Sequence, residues 1–323
     1  MGNIRLHNNR YNINLDEESM PVRAKKIIDL LSKVKRMSAY CHHHEYHDCV
    51  MLHLKKIEML MYEKKKITFI LPAFPAKSPN NIKTFNTLPD MGERLALNFL
   101  NQLCELIKQF YLPGAEMIIC SDGRVFNDLV KVKDKDVDTY SYAIDNIIHE
   151  DSLTNISLFS LDNHYKDSSY ETMRTHLLSE YGESEDIIKN NIKNDLISRQ
   201  QFNGIHRFIF EDNISALPSI SKNKIRNISK KIAYQVIQRS NAWSVLLEKY
   251  FPSAIRLSIH PQICGSNKIG IMLLKSEDAW ATPWHRVVLY DGKEHILIRK
   301  KDAENLGAVP VFIKNQFSHF TVK

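Results

Sequence analysis

Four short segments of the chain combine cations, hydroxyls and imidazoles. They are FPAKSPN (74–80), SDGRVFND (121–128), RLSIHP (256–261) and WATPWHR (280–286). Lysine and arginine bind phosphate and carboxylate groups, and histidine exchanges protons near neutral pH. These residue types therefore indicate a site that binds an anionic substrate and moves protons.

The first segment holds a cation and a hydroxyl on a loop that contains two prolines. Because Pro75 and Pro79 restrict the backbone, Lys77 and Ser78 are expected on a stiff loop. Lys77 can bind a phosphate as a point charge, and Ser78 can add a hydroxyl hydrogen bond. The alternative is an ordinary proline-rich surface turn, which has the same composition.

The second segment carries a glycine between two charged residues. Gly123 permits a tight turn, and Arg124 can bind a carboxylate or phosphate through two parallel hydrogen bonds. Asp122 can orient that arginine or accept a proton from a substrate. The alternative is a purely structural ion pair between Asp122 and Arg124.

The remaining two segments supply histidines. In the third, strand alternation puts Arg256, Ser258 and His260 on one face, where a phosphorylated or carboxylated ligand can satisfy them. The fourth offers Trp284 as an aromatic wall and His285 as a general acid or base. The alternatives are an internally satisfied polar network and a tryptophan-anchored loop packed on the core.

Apolar runs that alternate with helical patterns position these segments. The runs at 65–71, 115–120, 156–161 and 254–259 predict buried strands. Their alternation with helices predicts an α/β, Rossmann-like fold, with a mostly parallel sheet and helices on both faces. Polar residues follow these strands at 77–78, 122–124, 162–164 and 260. Because ligands bind beyond the carboxyl ends of parallel strands, we expect the site at that edge.

The two ends of the chain are predicted to extend this unit. Helical patterns at 20–34 and 49–62 make residues 1–64 an N-terminal helical segment, packed on a catalytic domain of residues 65–323. The pair Asp291-Gly292 lies between two β-rich runs and predicts a C-terminal β-hairpin. With this hairpin the sheet is expected to finish mixed or antiparallel.

Composition excludes several classes of protein. The chain has 323 residues, 43% of them hydrophobic and 25% charged, which is typical of globular proteins. The net charge of +7 comes from bases interspersed with acids, so nucleic-acid binding is not predicted. No stretch approaches the roughly twenty apolar residues that a membrane span needs, so no membrane segment is predicted. Five scattered cysteines and a polar start at 1–16 favour free thiols and a cytoplasmic location.

Cofactor and metal signatures are weak. His42, His43, His44 and His47 form a histidine run, in which residues 43 and 47 can share a helix face. No H-E-x-x-H motif accompanies them, so a solvated or internally paired run is favoured over a metal site. The chain also has no G-x-G-x-x-G and no P-loop motif. A Rossmann-type dehydrogenase or methyltransferase is therefore poorly supported, and a non-enzymatic module that binds a phosphate ligand stays open.

The four segments resemble, in this order, the signatures of the isonitrile synthases of the pyoverdine/dityrosine biosynthesis family. LPAFPAKSPN (71–80) is similar to that family's FPFKSPN-type signature, and LPDMGE (88–93) to its LPDxGE helix start. SDGRVFNDLV (121–130), RLSIHPQ (256–262) and TPWHRVV (282–288) resemble its central and C-terminal motifs. Ala76 departs from the family, which commonly has a larger aromatic residue there. The departure puts the choice of amino acid in question.

The resemblance implies a lyase-type enzyme of secondary metabolism that needs neither metal nor organic cofactor. Its substrates would be an aromatic L-amino acid, tyrosine before tryptophan, and D-ribulose 5-phosphate. The amino group becomes the isonitrile nitrogen and the ketone carbon of the sugar becomes the isonitrile carbon. An Fe/2-oxoglutarate dioxygenase often acts next. Formation of N-formyl tyrosine, as in the fungal branch of the family, is the alternative outcome.

This chemistry assigns roles to the candidate residues. Cations are required for the phosphate, general acids or bases for the proton transfers, and an apolar wall for the aromatic side chain. The candidates are Lys77, Arg124 and Arg256 for the phosphate, with Lys268 a weaker fourth; Ser78 and Ser258 as hydroxyl donors; His260, His285 and Asp122 for proton transfer; and Phe74 and Trp284 for the wall.

Overall fold

The computed structural model describes residues 18–38, 46–166 and 169–322. The predicted histidines at positions 42, 43 and 44 lie outside these ranges, and the side chain of His47 is not among those described.

A five-stranded parallel sheet forms the centre of the protein. Its strands are β1 (Ile67–Leu71), β2 (Ala115–Cys120), β3 (Ile156–Phe159), β4 (Ile255–Ser258) and β5 (Lys268–Gly270). The spatial order is β3-β2-β1-β4-β5, and every neighbouring pair is parallel. The order reverses between β1 and β4, and such a switch opens a crevice at the carboxyl ends of the strands. The predicted α/β fold with a mostly parallel sheet is confirmed.

Helices connect and cover these strands. They are α1 (Met20–Ser32), α2 (Tyr46–Tyr62), α3 (Met91–Lys108), α4 (Gly123–Phe126), α5 (Asp134–Glu150), α6 (Leu161–His164), α7 (Tyr170–Tyr181), α8 (Glu185–Asn194), α9 (Leu196–Ala216), α10 (Lys222–Tyr250) and α11 (Lys300–Asn305). Residues 202–210, which no single sequence pattern assigns, belong to α9.

Alternating side chains of β1 enter two different cores. Phe69 and Leu71 pack with buried residues of α1, α2, α3 and α5 on one face of the sheet. Ile70 points the other way, to a core that contains Trp243 of α10 and Met173 of α7. This alternation follows from strand geometry and places helices on both faces, as predicted.

The N-terminal segment joins the sheet directly. Beyond α1, the backbone N–H of Arg36 donates to the carbonyl of Gly270 at 2.8 Å, and the Gln262 N–H donates to the Arg36 carbonyl at 3.1 Å. A Cβ at residue 270 would stand 2.2 Å from the Arg36 carbonyl oxygen, so glycine is required there. Ile27 and Ile57 share the core of the sheet. The domain boundary at residue 64 stays a prediction.

The C-terminal part forms a second, mixed sheet. Its strands are β6 (Val287–Tyr290), β7 (His295–Ile298), β8 (Val309–Ile313) and β9 (Gln316–Thr321), in the order β7-β6-β9-β8. The hairpin predicted at Asp291-Gly292 is confirmed, because β6 and β7 pair antiparallel across it. The prediction that it ends the main sheet is wrong. The central sheet stays parallel, and the hairpin pairs with the last strand of the chain instead.

The structure also bears on two predictions made from composition, namely free thiols and the lack of a membrane segment. Cys104 and Cys120 are buried free thiols, whereas Cys264 is disulfide-bonded, so the expectation of free thiols is wrong for Cys264. No helix within the described ranges is both long enough and apolar enough to cross a membrane.

Candidate active site

A cavity of about 210 Å³ lies at the carboxyl ends of the parallel strands. Loops after β1, β2 and β4 form its walls, together with one face each of α9 and α10 and the loop before β6. It brings together nine of the candidates named from sequence: Lys77, Ser78, Asp122, Arg256, Ser258, His260, Lys268, Trp284 and His285. Phe74, Arg124 and residues 162–164 are not among the lining residues.

The loop after β1 is held in a strained conformation. Phe74 has a φ of 56°, in the left-handed region that bulky residues avoid, at a cost of about 1–3 kcal/mol. Its ring packs against Trp284 with centroids 5.3 Å apart, and the Ser121 hydroxyl donates to its carbonyl at 3.0 Å. Of the predicted aromatic wall, Trp284 faces the cavity and Phe74 supports it from behind.

Gly123 permits the close approach of two loops. A Cβ at this position would lie 2.0 Å from the Pro75 carbonyl oxygen. Because its φ is not in the left-handed region, the glycine is required for packing rather than for the tight turn predicted from sequence. The loops after β1 and β2 therefore meet with no space between them.

Lys77 lies in a buried ion cluster and not in an open phosphate site. Its ammonium is 2.7 Å from Asp90 Oδ2 and 2.8 Å from Glu93 Oε2, and it donates to the Pro283 carbonyl at 3.0 Å. Lys77, Asp90 and Glu93 are all nearly inaccessible to solvent. Burial alone would lower the pKa of Lys77, but the two carboxylates raise it above its ordinary value. The three ammonium hydrogens thus have acceptors within the protein.

The same carboxylates begin helix α3. Asp90 is the N-cap and accepts from the Gly92 N–H at 2.8 Å, while Glu93 accepts from the Asp90 N–H at 3.0 Å, which completes a capping box. The Tyr140 hydroxyl donates to Glu93 at 3.2 Å. Burial and the neighbouring Glu93 raise the pKa of Asp90 to about 7, although Lys77 opposes that shift. The LPDMGE segment therefore supplies both carboxylates of the ion cluster and also caps the start of α3.

Arg124 is neutralised away from the cavity. Its guanidinium lies 2.7 Å from Asp138 and 3.5 Å from Asp162, and stacks over the Tyr170 ring at 5.1 Å. Asp122 is not its partner. The Asp122 Oδ1 atom is buried without a hydrogen-bond partner in the described protein, and burial raises the pKa of this carboxyl to about 7.

Two cations at the cavity, Arg256 and Lys268, form no salt bridge with a carboxylate among the residues that the structure describes. Arg256 of β4 stands in register with Lys268 of β5, and both line the cavity. Among the described residues, the Nε and Nη1 atoms of Arg256 are buried without a hydrogen-bond partner, while its Nη2 atom donates to the Ser244 hydroxyl at 3.3 Å. Burial lowers the pKa of both cations, and Arg256 lowers that of Lys268 further. Like charges on neighbouring strands are destabilising, so the pair is suited to an anion.

His260 follows β4 and is secured through its neighbours. Arg36 donates to the Ile259 carbonyl at 2.5 Å and to the Ala281 carbonyl at 3.4 Å, which joins the loop after β4 to the loop before β6. Burial, Arg36 and Lys268 lower the pKa of His260 to about 4. Its imidazole is therefore neutral at neutral pH and can accept a proton.

The His285 side chain lies against an aromatic ring of helix α9. The imidazole stacks on Phe208 with centroids 5.1 Å apart and an interplanar angle of 15°. Burial, followed by the charges of Lys83 and Arg286, lowers the pKa of His285 well below its ordinary value. Its Nδ1 atom is buried without a partner in the described protein. This histidine is also neutral at neutral pH.

The comparisons with known proteins agree with this architecture. Residues 57–309 match the family described as pyoverdine/dityrosine biosynthesis protein. The chain belongs to that family. It is 46% identical to an L-tryptophan isonitrile synthase of Fischerella ambigua, over 87% of this chain and 85% of the relative. An L-tyrosine isonitrile synthase of Pseudomonas aeruginosa is 40% identical, over 83% of each chain. The crystal structure of the PvcA protein of the same species superposes with a TM-score of 0.88 at 36% identity, over 94% of this chain and 100% of that one.

Sequence reasoning within this family resemblance missed several lining residues. They are Gln201, Ile205, Phe208 and Ile209 of α9, and Val236, Asn241 and Ser244 of α10. In α9 the lining residues recur at helical spacing, but an adjoining second face is also apolar, because Phe202 is buried against Ala233 and Tyr234 of α10. The two apolar faces blur the periodicity that identifies an amphipathic helix.

Replacement of Lys77 by methionine separates a structural role from phosphate binding. We expect K77M to lower the free energy of unfolding by about 3–5 kcal/mol at pH 8, because two buried carboxylates lose their cation. The difference in the free energy of unfolding between K77M and the unsubstituted protein should become smaller toward pH 5. A buried carboxyl without its cation binds a proton more tightly in the folded than in the unfolded state, so stability falls as pH rises.

The measurement is urea unfolding at both pH values, with K26M as the matched control. Lys26 pairs with Glu18 at the partly exposed surface, so K26M should change stability by less than about 1 kcal/mol. A K77M protein as stable as the control, but with weaker sugar phosphate binding, would contradict the structural role.

Proposed function

We propose that this protein is an isonitrile synthase that converts an aromatic L-amino acid, with D-ribulose 5-phosphate as the source of the isonitrile carbon. Family membership and the named activities of its relatives support the reaction class. The observation that carries the proposal is the pair Arg256 and Lys268, which form no salt bridge within the described part of the chain and lie in a cavity with neutral histidines.

The sugar phosphate is assigned to the end of the cavity at β4 and β5. A phosphate dianion can take charge-assisted hydrogen bonds from the free guanidinium nitrogens of Arg256 and from the Lys268 ammonium. Ser258 also lines this region, and its hydroxyl accepts from the His260 N–H at 3.1 Å. Lys77 and Arg124 do not enter this assignment, because carboxylates of the protein already neutralise them.

The amino-acid side chain is assigned to an apolar part of the cavity. Its lining residues include Ala76, Val130, Val132, Ile205 and Val236. An aromatic ring gains the free energy of burial there without leaving polar groups unpaired. Identity is higher to the L-tryptophan enzyme than to the L-tyrosine enzyme, 46% against 40%, which favours tryptophan over the tyrosine expected from sequence.

Three titratable groups are available for the proton transfers. His260 and His285 are neutral at pH 7 and can take protons from the amine or the sugar hydroxyls. Asp122, with a pKa of about 7, can exchange protons in either direction. Imine formation, carbon–carbon cleavage and loss of phosphate each require such transfers. We therefore assign the catalytic roles to these three residues.

The wider setting is part of the same proposal. We expect a lyase-type, cytoplasmic enzyme of secondary metabolism that works without a metal or organic cofactor. Among the described residues no group of three or more histidines, cysteines or carboxylates is arranged to hold a metal ion. An Fe/2-oxoglutarate dioxygenase is the expected consumer of the product.

The reaction is tested by mass spectrometry of the purified protein with ribulose 5-phosphate labelled with carbon-13 at the ketone, and with tryptophan or tyrosine. We expect a labelled isonitrile, formed faster from tryptophan. A labelled product heavier by one water would be the formamide and would favour the N-formyl alternative. Consumption of neither amino acid would contradict the proposal.

Arg256 and Arg124 offer a matched pair of arginines for the phosphate assignment. We expect R256Q to raise the KM for ribulose 5-phosphate by at least about 10-fold, the effect of losing one charge-assisted hydrogen-bonded contact. The KM for the amino acid should stay within about 2-fold. R124Q should leave both KM values unchanged and lower the melting temperature. Steady-state kinetics measures these KM values. A raised KM for ribulose 5-phosphate in R124Q, with no change in R256Q, would move the proposed phosphate site to Arg124.

Ala76 tests the assignment of the amino-acid end. A phenylalanine at this position would occupy space in the apolar part of the cavity, where Ala76 packs beside Val132 and Val137. We expect A76F to raise the KM for tryptophan by about 10-fold or more, since overpacking costs about 1–3 kcal/mol. The Kd for ribulose 5-phosphate, measured by calorimetry, should not change. Equal weakening of both substrates would refute the division of the cavity.

A further inference from the structure

The two cavity histidines have no hydrogen bond that fixes their rings. Within residues 18–38, 46–166 and 169–322, neither the His260 nor the His285 imidazole hydrogen-bonds to another protein group. The bonds at these two residues involve their backbone instead. A catalytic imidazole ordinarily depends on a second group to hold its orientation. Here that function has to come from another kind of contact.

Each imidazole lies against one aromatic ring. His285 stacks on Phe208 at 5.1 Å between centroids, and His260 lies 5.0 Å from Trp280 at an interplanar angle of 40°. All four rings border the same cavity. The positive charges of Lys83, Arg207 and Arg286 surround the Phe208 ring at 5.4, 4.8 and 5.5 Å.

Both aromatic rings depend on one face of helix α9. Phe208 belongs to this helix, and Gly204, four residues earlier, lies on the same face. A Cβ at residue 204 would stand 2.7 Å from the Cε3 and Cζ3 atoms of Trp280, so the indole packs directly on the helix backbone. A glycine inside a helix costs about 1 kcal/mol relative to alanine. The space it gives to the indole accounts for its presence.

Asp278 joins the two aromatic rings into one unit. Its Oδ2 accepts from Arg286 at 3.0 Å and from Arg207 at 3.2 Å, the two arginines that lie over Phe208. Its Oδ1 accepts from the backbone N–H of Trp280 at 2.9 Å. The positions of Phe208 and Trp280 are therefore coupled through a single carboxylate.

We propose that Phe208 and Trp280 are positioning residues, which hold the imidazoles of His285 and His260 toward the substrate, and that Gly204 sets the depth of the Trp280 ring. The inference rests on the proposed function, because it gives the two histidines the proton-transfer roles assigned above. A ring face restrains the rotation of an imidazole and excludes water from one side, while both nitrogens stay free for substrate.

The first test replaces each ring with an aliphatic or an aromatic side chain in the full-length protein. We expect F208L and W280L to lower kcat by about 10-fold or more, a part of the 10²–10⁴ that a positioned acid or base contributes. The KM of each substrate should stay within about 3-fold. F208Y and W280F retain a ring and should recover most of kcat. F210L, on the same helix but away from the cavity lining, is the matched control.

The second test uses Gly204 in a double-mutant cycle. Alanine improves helix propensity, yet G204A should lower kcat as W280L does, because the methyl group displaces the indole. In a W280L background the same alanine should have no further effect on kcat. Additive losses from G204A and W280L would overturn the role of Gly204.

Titration of the imidazoles by NMR separates this inference from the proposed reaction. The charged and titratable groups around His285 are Lys83, Arg286, Lys77 and His260, and those around His260 are Arg36 and Lys268. Neither F208L nor W280L replaces any of these charged or titratable groups. Entry of water should therefore raise the pKa of His285 in F208L, and that of His260 in W280L, toward its ordinary value.

The outcomes are distinct. Loss of kcat with recovery by an aromatic residue, together with the pKa rise, supports positioning. Unchanged kcat and titration in both leucine variants, or equal losses in the leucine and aromatic variants, overturn it. Full turnover by H260Q and H285Q would instead contradict the catalytic roles in the proposed function, and the NMR titrations would still decide whether the rings hold the imidazoles.

Discussion

The buried charge cluster around Lys77 is the constraint on which the rest of the site depends. An ammonium and two carboxylates at 2.7 and 2.8 Å are removed from solvent together. Any one of these charges left unpaired in a low-dielectric interior costs several kcal/mol. The loop after β1 and the start of α3 must therefore arrive in one arrangement, and with them come the Tyr140 hydroxyl and the Pro283 carbonyl. Since residue 283 is two positions before His285, the cluster also sets one wall of the cavity.

The distribution of neutralised and free cations makes the end of the cavity near β4 and β5 the more positive one. Lys77 and Arg124 form salt bridges with carboxylates of the protein. Arg256 and Lys268 lie side by side on neighbouring strands and form no salt bridge within the described ranges. Positive charge is thus concentrated at the end of the cavity near β4 and β5. Burial is the main cause of the low pKa of His260, and the charges of Arg36 and Lys268 lower it further. In the proposed reaction, this end of the cavity binds the sugar phosphate, and the neutral histidines accept protons.

Much of this arrangement could be predicted from local patterns, and the failures have physical reasons. The strands, the parallel sheet and the carboxyl-edge location follow from short apolar runs that alternate with helical patterns, and the hairpin follows from turn chemistry. All of these patterns are local. The partner of a cation is not local. Nothing in FPAKSPN reveals that Lys77 meets Glu93, which lies sixteen residues further along in the first turn of α3. The contribution of α9 was missed because both of its faces are apolar. Arg36 was missed because its contacts with residues 259 and 281 are far away in sequence.

The central claim, that the cavity takes the sugar phosphate at Arg256 and Lys268, is tested most directly by a crystal structure with ribulose 5-phosphate bound. The account predicts phosphate oxygens within hydrogen-bond distance of the Arg256 Nε and Nη1 atoms and of the Lys268 ammonium, with the ketone facing His260 and His285. A phosphate bound at Arg124, or one that displaces a carboxylate from Lys77, would contradict it.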